Sequence, residues 1–365
     1  MSGKKIRVGI LFGGQSAEHE ISLLSARNVL EALDRHKYEA VLIGIDREGR
    51  WHLGERSALM LEAGAKALPH FAAGGKELVL LPGGKAELMR LDGEAPAEAL
   101  DVVFPVLHGP FGEDGTVQGL LKLSGVPFVG AGVLGSAVGM DKDVMKRLLN
   151  QAGISTARFL VFHDCEGAGP DFLKVTAALG LPVFVKPANL GSSVGIHKVI
   201  DKKSFERAVD DAFRYDRKIL VEEAVRGREL ECAVLGNERP EASLPGEVIP
   251  KHEFYSYEAK YLDENGAAFE IPARLDEAAT RRIQEMAVAA FKALCCEGMA
   301  RVDFFLRPDG ALLVNEINTI PGFTRISMYP RMWEASGLPM TELVDRLIQL
   351  ALERHEKEKG MRTKA

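Results

Sequence analysis

Arg301, Asp303, Glu316 and Asn318 are four of the polar side chains within residues 301–322. They lie in two apolar runs, Arg301-Val302-Asp303-Phe304-Phe305-Leu306 and Leu312-Leu313-Val314-Asn315-Glu316-Ile317-Asn318, separated by Pro308-Asp309-Gly310. This pattern predicts a β-hairpin, because proline presets φ and glycine supplies the left-handed residue of the turn. Side chains two apart share a face of a strand. A four-residue loop would therefore set Asp303 opposite Glu316, and Arg301 opposite Asn318, on one surface. Such oxygens suit Mg²⁺, which takes one or two carboxylates and completes its shell with water and nucleotide phosphate. A solvated hairpin face with a stray ion pair is the competing reading of the hairpin alone.

Upstream, a strand over 181–185 delivers Lys186-Pro187, followed by Ala188-Asn189-Leu190-Gly191-Ser192-Ser193-Val194-Gly195. Small residues and hydroxyls led by a lysine fit a flexible cover over a polyphosphate: free amides, adaptable donors and a compact cation. No Gly-Lys-Ser/Thr opens a helix here, so this is not a Walker loop. An ordinary hairpin turn is the alternative. Residues 217–223 read as an apolar strand ending in Glu222 and Glu223. Such a strand reads adenine through its backbone and holds ribose through a carboxylate, or else is a solvated strand end. Residues 136–142 open a helix with Val144, Leu148 and Leu149 apolar, and Lys142 at its start is either a ligand or plain surface.

The elements that must position these groups begin with a strand over 6–12, the pair Gly13-Gly14, and a helix bearing Ile21, Leu24, Val29 and Leu33, with Ser16 as its cap. Strand, glycine turn and helix make a βαβ unit. The pair lacks the third glycine of a dinucleotide fingerprint, which weakens a nicotinamide reading. Glu18 either serves the helix dipole or faces the cleft and captures an ammonium group. A second strand spans 40–45, and residues 47–100 read as polar and irregular, with a hairpin at Pro82-Gly83-Gly84. A strand over 101–107 leads into His108-Gly109-Pro110-Phe111-Gly112-Glu113-Asp114-Gly115-Thr116 and a helix through Leu123. The glycines let that loop's backbone approach a ligand closely. His108 there is either structural or catalytic. Residues 250–262 show no clean period and read as a structured loop, while 276–295 and 341–356 are amphipathic helices and 357–365 a frayed tail.

With 365 residues, 46% of them hydrophobic, 27% charged and a net charge of -6, the chain has room for two or three domains and offers no general attraction for nucleic acid. Cys165, Cys232, Cys295 and Cys296 have no metal-like spacing, so reduced thiols are expected. No apolar run approaches the roughly 18 residues of a membrane span. These features point to the cytoplasm.

Taken in chain order, Lys142, Lys186, the Gly/Ser loop, Glu222 and the Asp303, Glu316 and Asn318 face resemble the ATP-grasp enzymes. More narrowly, the chain from about residue 6 to residue 350 is similar to the D-alanine:D-alanine ligases. The most specific matches are residues 108–119 and the pairing of Gly298-Met299-Ala300-Arg301-Val302-Asp303 with Asn315-Glu316-Ile317-Asn318-Thr319-Ile320-Pro321-Gly322. The resemblance implies a mixed α/β, three-domain ATP-grasp fold: a Rossmann-like unit over 1–130, a central unit over 131–223, and a third over 224–365 carrying a lid at about 246–266.

It also implies roles. Lys142 and Lys186 contact ATP phosphates; Glu222, Glu223 and Val225 surround adenine; Glu229 takes the ribose, and Ser192, Ser193, Lys260 and Asn315 belong to the same ATP site. Asp303, Glu316 and Asn318 hold two Mg²⁺ ions, with Mn²⁺ able to substitute. Glu18 binds the first D-alanine's ammonium in a trio with Ser192 and Tyr261, Arg301 and the Gly322 amide stabilise the oxyanion, and His108, Ser327 and Met328 contact substrate. Met328 departs from the leucine common in that position, a volume-conserving change. The implied partners are D-alanine, ATP and a second copy of the chain. A D-lactate-using ligase and a non-catalytic nucleotide-binding protein remain the rival readings.

Overall fold

The computed structural model describes residues 4–54, 76–83, 86–92, 99–165, 169–250 and 267–361. Its strands form three sheets. The first contains β1 (Ile6–Gly13), β2 (Tyr38–Ile45), β3 (Trp51–Leu53), β4 (Glu77–Leu80), β5 (Leu88–Arg90) and β6 (Val102–Pro105), in the order β5-β4-β3-β2-β1-β6. β1 pairs in parallel with β2 and β6, and the rest of the sheet is antiparallel. Residues 47–100 are thus not simply irregular: three short strands from this stretch extend the sheet. Strands of three or four residues show too little alternation to be seen by period. The hairpin expected around Pro82-Gly83-Gly84 is present: β4 and β5 pair antiparallel on either side of it, with Leu80 opposite Leu88, although Gly84 itself lies outside the described residues.

β1 runs into Gly13, whose φ is 90° and where a side chain would collide with the Ile45 carbonyl. Close strand packing therefore accounts for this glycine. The helix that follows, His19–Ala32, has Glu18 rather than Ser16 at its cap position, and Ser16 Oγ instead accepts a hydrogen bond from the Glu18 N–H.

The central sheet orders β7 (Phe159–His163), β10 (Lys218–Glu223), β8 (Val183–Pro187) and β9 (His197–Val199), all antiparallel. Its core packs against the helices Phe172–Leu179 and Lys202–Ala212. The helix expected to run through Lys142 is broken at Asp141, which is extended and accepts from the Asp143 and Val144 N–H groups, capping a new helix, Lys142–Gln151. That cap turns Met145 and Leu149 into the core and leaves Leu148 exposed.

The third sheet orders β14 (Ala267–Glu270), β13 (Gly246–Pro250), β11 (Arg228–Gly236), β15 (Gly298–Leu306) and β16 (Leu312–Asn318), with β12 (Glu241–Ala242) on β11. Strand alternation sends Leu230, Cys232, Val302, Phe304 and Val314 into the core shared with the helix Glu277–Ala293. Arg301, Asp303, Glu229 and Glu231 consequently point the other way, into a cleft. The last helix, Met340–Lys359, places Leu343, Leu347 and Ile348 in one core with Val8 and Ile10 of β1 and Met299 of β15, which fastens the first sheet to the third. Among the described residues no helix is long and apolar enough to cross a membrane.

Candidate active site

Arg301 pairs with Asn318, and Asp303 with Glu316, across β15 and β16. The predicted register therefore holds, by a different route. The connection is five residues, 307–311, and a β-bulge at Asn315 restores the register at the far end. Asn315 and Glu316 both line the cleft, although neighbours in a regular strand would point apart.

Arg301 is clamped rather than merely near an acid. Its Nε and Nη2 donate to the two oxygens of Asp303 at 2.7 Å each, and Nε lies 2.9 Å from Glu231 Oε2. Burial works against the guanidinium's charge, but Asp303, Glu231 and Glu316 outweigh it and hold the group protonated. Glu231 was not singled out from the sequence. It sits opposite Asp303 on β11, two residues after Glu229, and that spacing was its signal.

The loop after β16 is held from the first sheet's side. Ile320 N–H donates to Glu113 at 3.2 Å, and its carbonyl meets His108 Nδ1 at 3.1 Å. Phe323 N–H donates to Ser25 Oγ at 3.2 Å, and the Phe323 carbonyl accepts from Asn28 at 2.9 Å. His108 Nε2 lies 3.2 Å from the same Ser25 Oγ. With Nδ1–H donating to Ile320, Nε2 is left to accept the Ser25 hydroxyl proton, an arrangement that requires neutral imidazole. Burial pushes the His108 pKa down, in keeping with that form. Burial together with Glu18 pushes the Glu113 carboxyl up to about 8. Ser22, Ser25 and Asn28 make a polar stripe at three-residue spacing on the first helix, Ser22 and Ser25 fully buried, a signal that apolar-period reading passes over.

A second cleft adjoins the first along Glu229, Asn315 and Glu316. The Gly/Ser loop bends through Ser192 and Ser193 at φ of 52° and 60°, left-handed values that cost non-glycine residues about 1–3 kcal/mol each and persist at functional sites. Lys142 ties to this loop by donating to the Leu190 carbonyl at 2.5 Å, and its ammonium lies 4.0 Å from Glu316. Burial draws its pKa down, against the pull of Glu316. Glu222 meets Lys186 at 3.1 Å and Lys146 at 2.9 Å. Burial alone would raise the Glu222 carboxyl, but the two ammonium groups override it and hold it at about 2. Lys146 was also missed, although it follows Lys142 by one helical turn.

Every described site residue expected from the sequence lines a cleft. Glu18, His108, Arg301, Asp303, Asn318, Gly322, Ser327 and Met328 line the first, and Lys142, Lys186, Ser193, Glu222, Glu223 and Val225 the second. Ser192, Glu229, Asn315 and Glu316 line both, so the two clefts meet along them. Lys260 and Tyr261 lie outside the described residues, as does most of the expected lid.

Residues 7–131 match the family described as D-ala D-ala ligase N-terminus, and 148–349 that described as D-ala D-ala ligase C-terminus. The chain belongs to the D-alanine–D-alanine ligase family. It is 53% identical over 351 residues to D-alanine--D-alanine ligase A of Chromobacterium violaceum, covering 96% of each chain, and 49% identical over 360 residues to the ligase of Oceanobacillus iheyensis, covering 98% of each. The solved D-alanine-D-alanine ligase of Coxiella burnetii superposes with a TM-score of 0.85 at 42% identity, covering 98% of this chain and 97% of that one. VanG D-Ala:D-Ser ligase of Enterococcus faecalis gives 0.83 at 38% identity, covering 95% and 100%. The fold is accordingly that of the ATP-grasp enzymes. The activity is ATP-dependent joining of two D-alanines for peptidoglycan synthesis, and the D-lactate and non-catalytic readings are not favoured.

The donor set also suits the family's metal. Asp303, Glu316 and Asn318 offer two carboxylates and an amide oxygen on the wall of the first cleft, with Glu316 reaching the second as well, the hard oxygens Mg²⁺ prefers. That face already attracts cations, Arg301 to Asp303 and Lys142 to Glu316.

Proposed function

We propose that the first cleft holds the two D-alanines, the second holds ATP, and their shared edge is where the phosphoryl group passes between them. The observation that carries this reading is the meeting of the clefts along Ser192, Glu229, Asn315 and Glu316. The first D-alanine docks its ammonium on Glu18, and its carboxylate attacks the γ-phosphorus of ATP. The bond to ADP breaks and an acyl phosphate forms. Lys142, Lys186 and the donors of Ser192 and Ser193 neutralise charge on the transferring group. Glu222, Glu223 and Val225 surround adenine, Glu229 holds ribose, and Asn315 borders the phosphates. Bound Mg²⁺, two ions with Mn²⁺ as a substitute, would be held by Asp303, Glu316 and Asn318 and would spread that same charge.

The second D-alanine, gripped by Ser327 and Met328 beside His108, attacks the acyl carbon with its neutral amine. Arg301 and the Gly322 amide hold the oxyanion, phosphate departs, and the nitrogen loses its extra proton. A lid over about 246–266, with Lys260 and Tyr261, excludes water that would hydrolyse the acyl phosphate; Tyr261 joins Glu18 and Ser192. We assign the units 1–130, 131–223 and 224–365 as domains, the assembly as a homodimer and the compartment as the cytoplasm, where the four free cysteines would stay reduced. Phosphate release with D-alanine, L-alanine and D-lactate plus D-alanine, compared side by side, tests the reading. D-alanine alone should drive turnover at full rate; equal release with L-alanine would overturn it.

A further inference from the structure

Each oxygen of the buried Glu222 carboxylate meets an ammonium group, Oε1 that of Lys186 at 3.1 Å and Oε2 that of Lys146 at 2.9 Å. The two lysines are not equivalent. Lys186 lines the nucleotide cleft and keeps 11% of its side chain exposed, whereas Lys146 keeps 1% and lines neither cleft. The Lys142–Gln151 helix sends Lys142 into the cleft and Lys146, one turn later, behind Glu222, with its ammonium 5.9 Å from the Phe159 ring centroid. A buried carboxylate strongly resists losing its only counter-ion. Were Lys186 the sole partner of Glu222, swinging it onto a triphosphate would strand that charge.

We propose that Lys146 is a positioning residue for the nucleotide: it is the resident counter-ion of Glu222, and by keeping that carboxylate compensated it frees Lys186 for the phosphates. Lys146 touches no ligand itself, and the inference rests on the reading of Lys186 as a phosphate-binding group.

Calorimetric titration of the full chain with ADP and with adenosine separates these ideas. Lys146→Met should weaken ADP about tenfold or more, because Lys186 is then retained by Glu222, while adenosine, which makes no demand on Lys186, changes less than about twofold. The KM for ATP should rise and that for D-alanine stay put. In a Glu222→Gln background, where no carboxylate needs a partner, Lys146→Met should cost no further ADP affinity. Unchanged ADP affinity in Lys146→Met, an equal loss for adenosine, or an equal cost in the Glu222→Gln background would each overturn the proposal. Lys186→Met is the control: if it leaves ADP binding intact the phosphate reading of Lys186 fails, and if it alone weakens ADP then only the role of Lys146 fails. Should Lys146→Met not melt as a folded protein, Lys146→Gln, which keeps a donor without the charge, carries the same expectations.

Discussion

At the end of the site proposed for peptide-bond formation Arg301 is fixed by both oxygens of Asp303 and by Glu231, whereas at the end proposed for the nucleotide Lys186 reaches one oxygen of Glu222 and shares that carboxylate with Lys146. A guanidinium in a two-point clamp is pre-organised: it needs no rearrangement when an oxyanion appears. An ammonium in a shared pair is exchangeable, as the proposed role of accepting and releasing a triphosphate requires. The loop bearing Gly322 follows the first pattern, since Glu113, His108, Ser25 and Asn28 hold its flanking backbone. The Gly/Ser loop follows the second, with two left-handed serines and its link to Lys142. One end is built to stay and the other to move.

The sharpest way to break the contrast is Arg301→Ala. It should lower kcat by roughly 10²–10³, about 3–4 kcal/mol of transition-state stabilisation, with little change in the KM for ATP. Near wild-type turnover in the purified variant would remove Arg301 from the oxyanion role.

A comparable effect, on stability, is expected at the exchangeable end. The folded pKa of Glu222, about 2, lies below its ordinary 4.5, so its contribution is present above pH 4.5 and is lost as pH falls toward 2. The size is on the order of 3 kcal/mol. Denaturant titrations at pH 5 and pH 2 should show that much less pH dependence in Glu222→Gln; identical acid sensitivity in the two proteins would contradict the pairing.

Gly322→Ala probes the fixed loop more gently. An added Cβ would sit 2.7 Å from Ser327 Oγ, which also bonds Thr324, so overpacking of about 1–3 kcal/mol is expected, together with a weaker grip on the second D-alanine. Separate KM values for the two D-alanine sites would register it. Met328→Leu should be smallest, under about 1.5 kcal/mol in a thermal melt, because the volumes match.

Much of this was legible in residue types and spacing, but unevenly. The hairpin and its facing pairs were readable because alternation and a Pro-Asp-Gly turn are local signals, whereas Lys142 could have been plain surface until the resemblance gave it a role. The bulge at Asn315 was not, since an inserted residue leaves no mark in an apolar run that still alternates on either side. Strand β3 escaped because it spans only three residues and is defined by its neighbours, and of β4 and β5 only the turn that joins them was legible. Lys146 and Glu231 follow residues already marked, at helical and strand spacing respectively, yet their role depends on burial and cross-strand pairing that only the folded chain displays. Ser25 and Asn28 act on a loop some 300 residues away, a contact no local pattern announces.

In the proposed division of labour Arg301 serves amide formation while the lysine end serves phosphoryl transfer. Positional isotope exchange in ATP labelled at the βγ-bridge, run with D-alanine beside an assay of dipeptide, separates the two steps in one variant. Arg301→Ala should keep the exchange and lose most of the dipeptide. Loss of both in equal measure, or of neither, would contradict the division.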